Sequence, residues 1–292
     1  MKLVRFGSVG AEKPGLIDGD GHIRDLSAVV PDITGAHIGP ESLARLAALD
    51  PTTLPLVESP VRFGPAVAGT RHFIAVGLNY SDHAAESNLP VPAEPILFTK
   101  AVSCIQGPND IVRKPRESIK MDWEVELGIV IGKRLRYVDK ADALDHVAGY
   151  IVCDDLSERH FQNERSGTWD KGKGCETFGP VGPWLVTKDE VGDVQSLDMW
   201  LSVNGERMQT GNTRTMIFDC ATLVSYISQF MVLEPGDIIT TGTPPGVGMG
   251  MNPPRFLNVG DVIELGIEKL GSQRHSVVAW DAPLQDDQPN MC

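Results

Sequence analysis

Two glutamates separated by one residue stand at the start of a strongly apolar segment of this 292-residue chain. Residues 123–131 read WEVELGIVI and end at Gly132, a composition that predicts a β-strand. Side chains alternate along a strand, so Glu124 and Glu126 share one face, about 7 Å apart, and the apolar residues take the other. Unpaired carboxylates in an apolar setting cost several kcal/mol, which a hard ion such as Mg²⁺, Mn²⁺ or Ca²⁺ would offset. The alternative is that both glutamates face water.

The next predicted strand, 147–152, runs directly towards two further carboxylates, Asp154 and Asp155. Sites for hard cations are often built from carboxylates at strand ends and completed by water and substrate oxygens. A third acid near Glu124 and Glu126 would leave coordination positions open for a chelating substrate. Asp154 has an alternative role as a turn former, which is common for aspartate after a strand.

A second pair of residues has the spacing of an acid–base dyad. His83 and Glu86 are three residues apart in a predicted short helix, so their side chains share a face. A carboxylate beside an imidazole fixes its tautomer and raises its basicity, which suits removal of a proton from water. An exposed helix pair without a catalytic role is the alternative.

Two glycine-rich loops offer further polar groups. Residues 170–180 lack the spacing of a nucleotide-binding loop, but Lys173 could stabilise an enolate or transfer a proton. A solvated lysine is the alternative. Residues 240–250 follow a predicted strand, and Pro253 and Pro254 block the helix that a dinucleotide site requires. Backbone amides and threonine hydroxyls there, including that of Thr243, could hold a substrate carboxylate.

Composition limits the classes of function. The net charge of −13 argues against nucleic acid or an anionic membrane as a partner. No apolar run approaches the roughly 20 residues that span a bilayer, and the first residues lack the features of a signal peptide. Five cysteines without a C-x-x-C pair fit reduced thiols, and we expect a cytoplasmic protein.

The chain divides into a small leading part and a larger one. Residues 1–66 predict a small N-terminal α+β domain with a strand, a hairpin turning at 18–21 and a helix within 40–49. Residues 67–292 predict the catalytic domain. Its helices are expected at 141–145 and 220–230, and its strands at 73–77, 96–99, 123–131, 147–152, 184–186, 199–203, 237–241 and 262–267. Strands without regular βαβ alternation favour a mainly β sandwich or rolled barrel over a doubly wound sheet.

Five motifs in order resemble the fumarylacetoacetate hydrolase family from about residue 70 to 285. They are GLNYSDHAAE at 77–86, WEVEL at 123–127, GYIVCDDLS at 149–157, the lysine loop at 172–178 and TGTP at 241–244. The resemblance implies a mixed β-sandwich roll, usually a homodimer, with a variable N-terminal part. It also implies Mg²⁺ or Mn²⁺ on Glu124, Glu126 and Asp155, and catalytic roles for His83, Glu86 and Lys173. Within the matching motifs, Asn79, Tyr80 and Thr243 are candidates for substrate binding.

The chain departs from the common family pattern at supporting positions. The lysine loop usually reads G-K-S-x-D, whereas Gly174 and Glu176 stand at the serine and aspartate positions here. Asp154 stands where asparagine is common. These differences bear on which substrate is bound more than on whether a metal is bound.

The resemblance implies a metal-dependent hydrolase that cleaves the C3–C4 bond of a small-molecule 2,4-dioxo acid. Chains of this length with N-Y-x-D-H-x-x-E resemble hydrolases of 2,4-diketo-3-deoxy sugar acids of the L-rhamnonate or L-fuconate type, which give pyruvate and lactate. One alternative is a tautomerase or decarboxylase of a 2-oxo dioic acid in aromatic degradation. A ureidoglycolate lyase and a non-catalytic oxo-acid-binding protein are further alternatives.

Overall fold

Strands dominate the chain in the computed structural model, which describes residues 1–58, 60–86 and 90–283. Within those residues the strands, in chain order, are β1 (Lys2–Phe6), β2 (Lys13–Ile17), β3 (Ile23–Asp25), β4 (Phe73–Gly77), β5 (Ile96–Thr99), β6 (Ile105–Gln106), β7 (Val112–Lys114), β8 (Met121–Asp122), β9 (Val125–Ile131), β10 (Val147–Asp154), β11 (Ser157–Glu158), β12 (Gly179–Thr187), β13 (Asp198–Val203), β14 (Glu206–Asn212), β15 (Ile238–Thr240), β16 (Val262–Ile267) and β17 (Gly271–Ala279).

The helices in the same residues are short. They are α1 (Pro40–Ala47), α2 (Ser81–Glu86), α3 (Arg159–Asn163), α4 (Asp170–Lys173), α5 (Lys188–Val191) and α6 (Cys220–Ile227). Single 3₁₀ turns occur at Gly35–His37, Pro51–Thr53, Val102–Cys104, Ala143–His146, Val194–Ser196, Thr213–Thr215 and Gly248–Gly250. Among the described residues, no helix combines the length and the apolar character that crossing a bilayer requires.

Most strands form one mixed sheet in the order β3-β2-β1-β12-β10-β9-β15-β4-β5, with β6 paired to β12. Its pairs are antiparallel except β4 with β15 and β6 with β12, which are parallel. A five-stranded sheet, β14-β13-β16-β17-β7, packs across β9, β10 and β12, and β8 pairs separately with β11. The predicted fold class, mainly β with mixed packed sheets and few helices, is confirmed.

The segment that contains the two glutamates lies at the centre of this arrangement. All seven residues of β9 are buried, because the strand has neighbours on both sides and packed layers on both faces. The predicted strand 123–131 therefore has no water-facing side. It begins at Val125 because the backbone N–H of Trp123 donates to Asp122 and that of Glu124 donates to Asp154, so neither joins the ladder.

Most other predicted elements agree with the structure to within two or three residues, whereas the predicted strand 184–186 is only part of β12, which begins at Gly179. β5 and β16 have the predicted bounds 96–99 and 262–267. The predicted helix 220–230 ends at Ile227, and the predicted helix 141–145 is the 3₁₀ turn Ala143–His146. Close strand approach explains one glycine: a Cβ on Gly149 would lie 2.1 Å from the carbonyl oxygen of Val186 in the neighbouring strand.

The first 66 residues extend the main sheet. β1 pairs antiparallel with β12, placing Leu3 opposite Leu185, and β2 and β3 form the predicted hairpin. Leu3 is fully buried in the same hydrophobic cluster as the residues of β9. The division between 66 and 67 stays a prediction, and the pairing shows that the N-terminal strands share a core with the rest.

This shared core predicts that the Leu3→Ala substitution destabilises the whole chain. We expect a loss of about 2–5 kcal/mol in the free energy of unfolding, because a buried leucine is truncated. The loss should appear as one shifted transition in urea followed by tryptophan fluorescence. Val9→Ala, at a side chain that is 55% exposed, is the control and should change little. A separate early transition, with the main one unmoved, would show instead that residues 1–66 unfold independently.

Candidate active site

The three predicted metal ligands meet at one end of β9 and β10. Glu124 precedes β9, Glu126 lies in it, and Asp155 follows β10. The antiparallel register pairs Asp154 with Val125, and the backbone N–H of Asp155 donates to the carbonyl oxygen of Glu124 at 2.9 Å. One carboxylate oxygen from each of the three acids lies within 4.8 Å of the other two, and all three residues are buried. The strand pairing thus brings together acids that are 31 positions apart.

Buried cations balance part of this negative charge. The Lys173 Nζ lies 2.6 Å from Glu124 Oε2 and 2.7 Å from Asp155 Oδ2. Arg159 Nη2 lies 2.5 Å from Glu124 Oε1, and Lys100 Nζ lies 2.6 Å from Asp155 Oδ1. Burial alone would raise the pKa of Glu124, but Arg159 and Lys173 hold that pKa well below its ordinary value.

Glu126 has a different environment from the other two acids. Burial, followed by the charges of Asp155 and Glu124, raises its pKa well above the ordinary value. Its carboxylate accepts a hydrogen bond of 2.9 Å from the backbone N–H of Gly242, and within the described residues it has no ion pair. Deprotonated Glu126 therefore requires additional positive charge.

The donor set fits a hard divalent ion. Three carboxylates converge, all donors are oxygens, and the group is buried, as Mg²⁺ or Mn²⁺ sites require. Such an ion would supply Glu126 with the positive charge that Arg159 and Lys173 supply to Glu124. The described chain therefore contains the acidic triad that the predicted cofactor needs.

Two of these cationic residues are absent from the sequence-based candidates. Lys100 directly follows β5, and its Nζ also donates to the carbonyl oxygen of Lys173 at 2.5 Å. Arg159 opens α3, and its Nε donates to Asp122 at 2.8 Å. Both are buried. A charged residue at the end of an apolar strand was the available signal for Lys100, whereas nothing local marks Arg159.

The predicted dyad forms on α2. His83 Nδ1 lies 3.1 Å from Glu86 Oε2, and the Glu86 carboxylate also accepts from the backbone N–H of Gly246 at 3.1 and 3.2 Å. The second contact attaches α2 to the loop after β15. His83 lines the same cavity as the three acids and Lys173.

The three substrate-binding candidates have different positions. Thr243 lines the cavity, although its hydroxyl already donates to the carbonyl oxygen of Val125 at 2.9 Å. Asn79 and Tyr80 are buried and do not belong to the cavity lining. The Asn79 amide donates to the carbonyl oxygens of Thr241 and Phe218, so it fixes the turn before α2.

That turn contains a residue in an unusual conformation. Leu78, between β4 and α2, has a φ of 52°, in the left-handed region that a non-glycine residue seldom adopts. The neighbouring Asn79 also accepts from the backbone N–H of Phe218 at 2.8 Å. Asn79 therefore acts as a clamp that positions the helix of His83.

The cavity has a volume of about 460 Å³, within the range of small-molecule sites. Its lining combines the charged residues with an apolar wall. The lining residues are Val76, Gly77, Leu78, His83, Pro90, Pro92, Ile96, Phe98, Glu124, Glu126, Asp155, Arg159, Gln162, Asn163, Trp169, Lys173, Thr243, Val247 and Met249.

Behind the triad, Asp154 and His275 form a second buried pair, with Asp154 Oδ2 3.8 Å from His275 Nε2. Burial raises the pKa of Asp154 to about 8 and lowers that of His275 to about 3. A protonated Asp154 has the shape of asparagine, and its Oδ1 accepts from the backbone N–H of Glu124 as an amide oxygen would. In the metal-free protein, the departure from asparagine at this position therefore keeps this hydrogen-bond acceptor.

Comparison with known proteins agrees with this geometry. The family model described as fumarylacetoacetate (FAA) hydrolase C-terminal matches residues 72–278. The chain belongs to the fumarylacetoacetate hydrolase family. A Burkholderia multivorans protein with a provisional name as a hydrolase is 60% identical over 274 residues, covering 94% of this chain and 97% of that protein.

Solved structures of similar proteins cover both hydrolases and isomerases. A maleylpyruvate hydrolase from Sphingobium sp. SYK-6, in complex with manganese and pyruvate, is 32% identical with a TM-score of 0.79, covering 96% of this chain and 99% of that one. A protein described as a probable 2-hydroxyhepta-2,4-diene-1,7-dioate isomerase from Mycobacterium abscessus is 34% identical with a TM-score of 0.81, covering 97% and 100%.

Glu126→Gln should weaken Mn²⁺ binding by about tenfold or more, because a charged donor becomes a neutral amide. The measurement is calorimetric titration of Mn²⁺ into chelator-treated protein. The metal-free variant should be at least as stable as the parent, since repulsion from Glu124 and Asp155 is removed. Glu41→Gln, on the distant α1, is the charge-matched control. Unchanged affinity in Glu126→Gln would remove Glu126 from the ligand set.

The buried pair predicts a specific pH dependence of stability in the metal-free protein. Asp154 binds more protons in the folded state between its ordinary pKa of 3.8 and about 8. His275 binds fewer between about 3 and its ordinary 6.5. The two effects cancel between 3.8 and 6.5, so the pair loses stability only as pH rises from 6.5 to 8, by up to about 1.4 kcal/mol per pH unit.

Asp154→Asn should abolish that loss while keeping the acceptor for the Glu124 amide. Urea unfolding of parent and variant at several pH values between 6 and 8.5, with a chelator present, measures the difference. Parallel pH profiles for the two proteins would mean that Asp154 is ionised in the folded state.

Proposed function

We propose that the protein is a metal-dependent hydrolase that cleaves the C3–C4 bond of 2,4-dioxo acids. The observation that supports this most directly is that His83, paired with Glu86, lines the same cavity as the acidic triad and Lys173. A bound Mg²⁺ or Mn²⁺ on Glu124, Glu126 and Asp155 would supply Lewis-acid chemistry to the carboxylate and 2-oxo oxygens of the substrate. The manganese and pyruvate in the similar maleylpyruvate hydrolase are consistent with this head group.

The dyad supplies the base. Because the Nδ1–H group of His83 donates a hydrogen bond to the Glu86 carboxylate, the Nε2 atom is left to accept a proton from water. The hydroxyl adds to C4, the C3–C4 bond breaks, and its electron pair leaves on the enolate of pyruvate. The proton held by His83 is then available for C3, so that one water is consumed and a carboxylic acid and pyruvate are released.

Lys173 has a separate role in this scheme. Its ammonium lies between Glu124 and Asp155 and is buried, so its charge acts in a low-dielectric setting. Negative charge that develops on the departing enolate would be stabilised there without reorganisation of solvent. Lys100 donates to both Asp155 and the carbonyl oxygen of Lys173, so it fixes the positions of these two residues relative to each other.

Isomerisation or decarboxylation of a 2-oxo dioic acid is the second candidate, favoured by the similarity to the Mycobacterium abscessus protein. Those reactions use the metal but need no activated water, and the intact dyad favours hydrolysis. Sugar acids of the L-rhamnonate and L-fuconate type, predicted from the sequence, share the 2,4-dioxo head group. The family resemblance also predicts a homodimer, and the cysteine content predicts a cytoplasmic location.

The test is pyruvate release from a panel of 2,4-dioxo acids with Mn²⁺, in water labelled with ¹⁸O. We expect one ¹⁸O atom in the acid product and loss of turnover on chelation. His83→Ala should lower kcat by about 10²–10⁴-fold, because the general base is removed. His22→Ala, on the remote β2–β3 hairpin, is the control.

The other outcomes distinguish the rival reactions. Cleavage by His83→Ala at the parental rate would contradict water activation by the dyad. A rearranged product without pyruvate, or release of CO₂, would favour the isomerase or decarboxylase instead.

A further inference from the structure

The cavity has two chemically distinct parts. Its charged residues, including Glu126, Lys173 and Arg159, are all nearly inaccessible to solvent. Its apolar residues include two that remain accessible, Ile96 at 37% and Met249 at 44%. A substrate bound by a carboxylate and 2-oxo group at the buried acids would therefore direct its acyl group along the apolar part.

Two aromatic rings form the centre of the apolar part. Phe98 and Trp169 are packed edge to face, with 5.3 Å between ring centroids. Phe98 adjoins the charged part, since Lys173 Nζ lies 5.1 Å from the centroid of its ring. Trp169 packs against the end of β4, where a Cβ on Gly77 would lie 2.7 Å from the indole. The indole of Trp169 can therefore pack at this position only because Gly77 has no side chain.

The cationic groups of the lining are already engaged. Arg159 donates to Asp122, Glu124 and Gln162, and Lys173 donates to Glu124 and Asp155. Among the described lining residues the remaining ionisable base is His83, paired with Glu86. Residues 59, 87–89 and 284–292 contain no lysine, arginine or histidine. A second carboxylate on the substrate would lie beside apolar side chains without a positive partner, which is unfavourable.

A polyhydroxylated tail would meet a similar difficulty. Among the residues that the structure describes, the neutral polar side chains of the lining are those of Gln162, Asn163 and Thr243. The Gln162 carbonyl accepts from Arg159, and the Thr243 hydroxyl both donates to Val125 and accepts from Gln209. Hydroxyl groups placed against Phe98 and Trp169 would lose hydrogen bonds with water and gain few in return.

We infer that the acyl group of the substrate is uncharged and apolar, of the aryl or alkyl type, and that Trp169 and Phe98 form its specificity wall. This inference rests on the proposed function, because it places a 2-oxo acid head group at the buried triad. It narrows the 2,4-dioxo acids to those without a second carboxylate or a row of hydroxyls.

The first experiment measures affinity, so that it does not depend on turnover. Three 2-oxo acids without a 4-oxo group are titrated calorimetrically into the Mn²⁺-loaded protein: 2-oxo-4-phenylbutanoate, 2-oxohexanedioate and a 2-oxo-3-deoxyhexonate. We expect the phenyl compound to bind at least tenfold more tightly than the other two, a difference of about 1.4 kcal/mol. Equal or tighter binding of the dicarboxylate or the hexonate would overturn the inference.

Substitutions test whether the wall formed by Trp169 and Phe98 causes the preference for the phenyl compound. Trp169→Ala should weaken binding of the phenyl compound at least tenfold and change that of 2-oxohexanedioate less than twofold. Phe161→Ala is the matched control, because that ring lies on α3 outside the cavity lining. Equal losses for both compounds in Trp169→Ala would indicate a general structural role and overturn the assignment. Met249→Lys should improve binding of 2-oxohexanedioate about fivefold by supplying the missing cation.

Failure of the inference and failure of the proposed function give different results. Pyruvate release from dicarboxylic or polyhydroxylated substrates, at higher kcat/KM than from 4-phenyl-2,4-dioxobutanoate, would overturn the inference and leave the hydrolase intact. Selective binding of the phenyl compound, without release of pyruvate from any 2,4-dioxo acid, would overturn the proposed hydrolase and leave the inferred acyl preference standing. Binding of none of the three probes would overturn both, since the head group would then have no site.

Discussion

Three carboxylates held out of water within 4.8 Å of one another are the constraint that the rest of the site satisfies. Like charges at 4 Å repel by about 4 kcal/mol at an effective dielectric constant of about 20. The protein offsets this cost with cations from separate elements: Lys100 after β5, Arg159 in α3 and Lys173 in α4. Helices α3 and α4 are too short to be stable alone, so these ion pairs help to fix their positions.

The helix that contains His83, the proposed base, is attached less firmly than the acids. The six-residue helix α2 is held by Glu86 on the Gly246 amide, by Asp82 with the Thr215 hydroxyl, and by the turn that Asn79 clamps. These are few contacts, and such a segment belongs to the parts of a protein that open at low cost. An opening of α2 would therefore leave the paired strands β9 and β10, and the acids at their ends, in place.

The sequence identified residues whose partners are close in the chain or follow strand geometry. Glu124 and Glu126, like His83 and Glu86, have spacings that strand and helix periods interpret directly, and Asp155 follows a predicted strand. Lys100 and Arg159 were not found, because their roles depend on pairing between residues 35 to 55 positions apart. Asn79 and Tyr80 lie in a family motif, yet the Asn79 amide donates to backbone carbonyl oxygens and the Tyr80 hydroxyl donates to the Met199 sulfur, contacts that only packing reveals.

The fold was predictable to a similar degree. Alternating and continuous apolar runs located β5, β9 and β16, whereas β14 and β17 carry many polar residues and were missed. The pairing of β1 with β12 joins residues more than 180 positions apart, which no local pattern encodes.

The acids and the apolar residues of the cavity lie at different positions within the main sheet. Glu126 lies on β9, which is enclosed by neighbours, and Glu124 and Asp155 adjoin the ends of β9 and β10, whereas Phe98 lies on β5, at the edge of the sheet. Substitutions at an edge strand disturb few other contacts, while those at an inner strand disturb many. Under the proposed function, substitutions at this edge strand could therefore change which acyl group is accepted while the residues proposed to break the bond are retained.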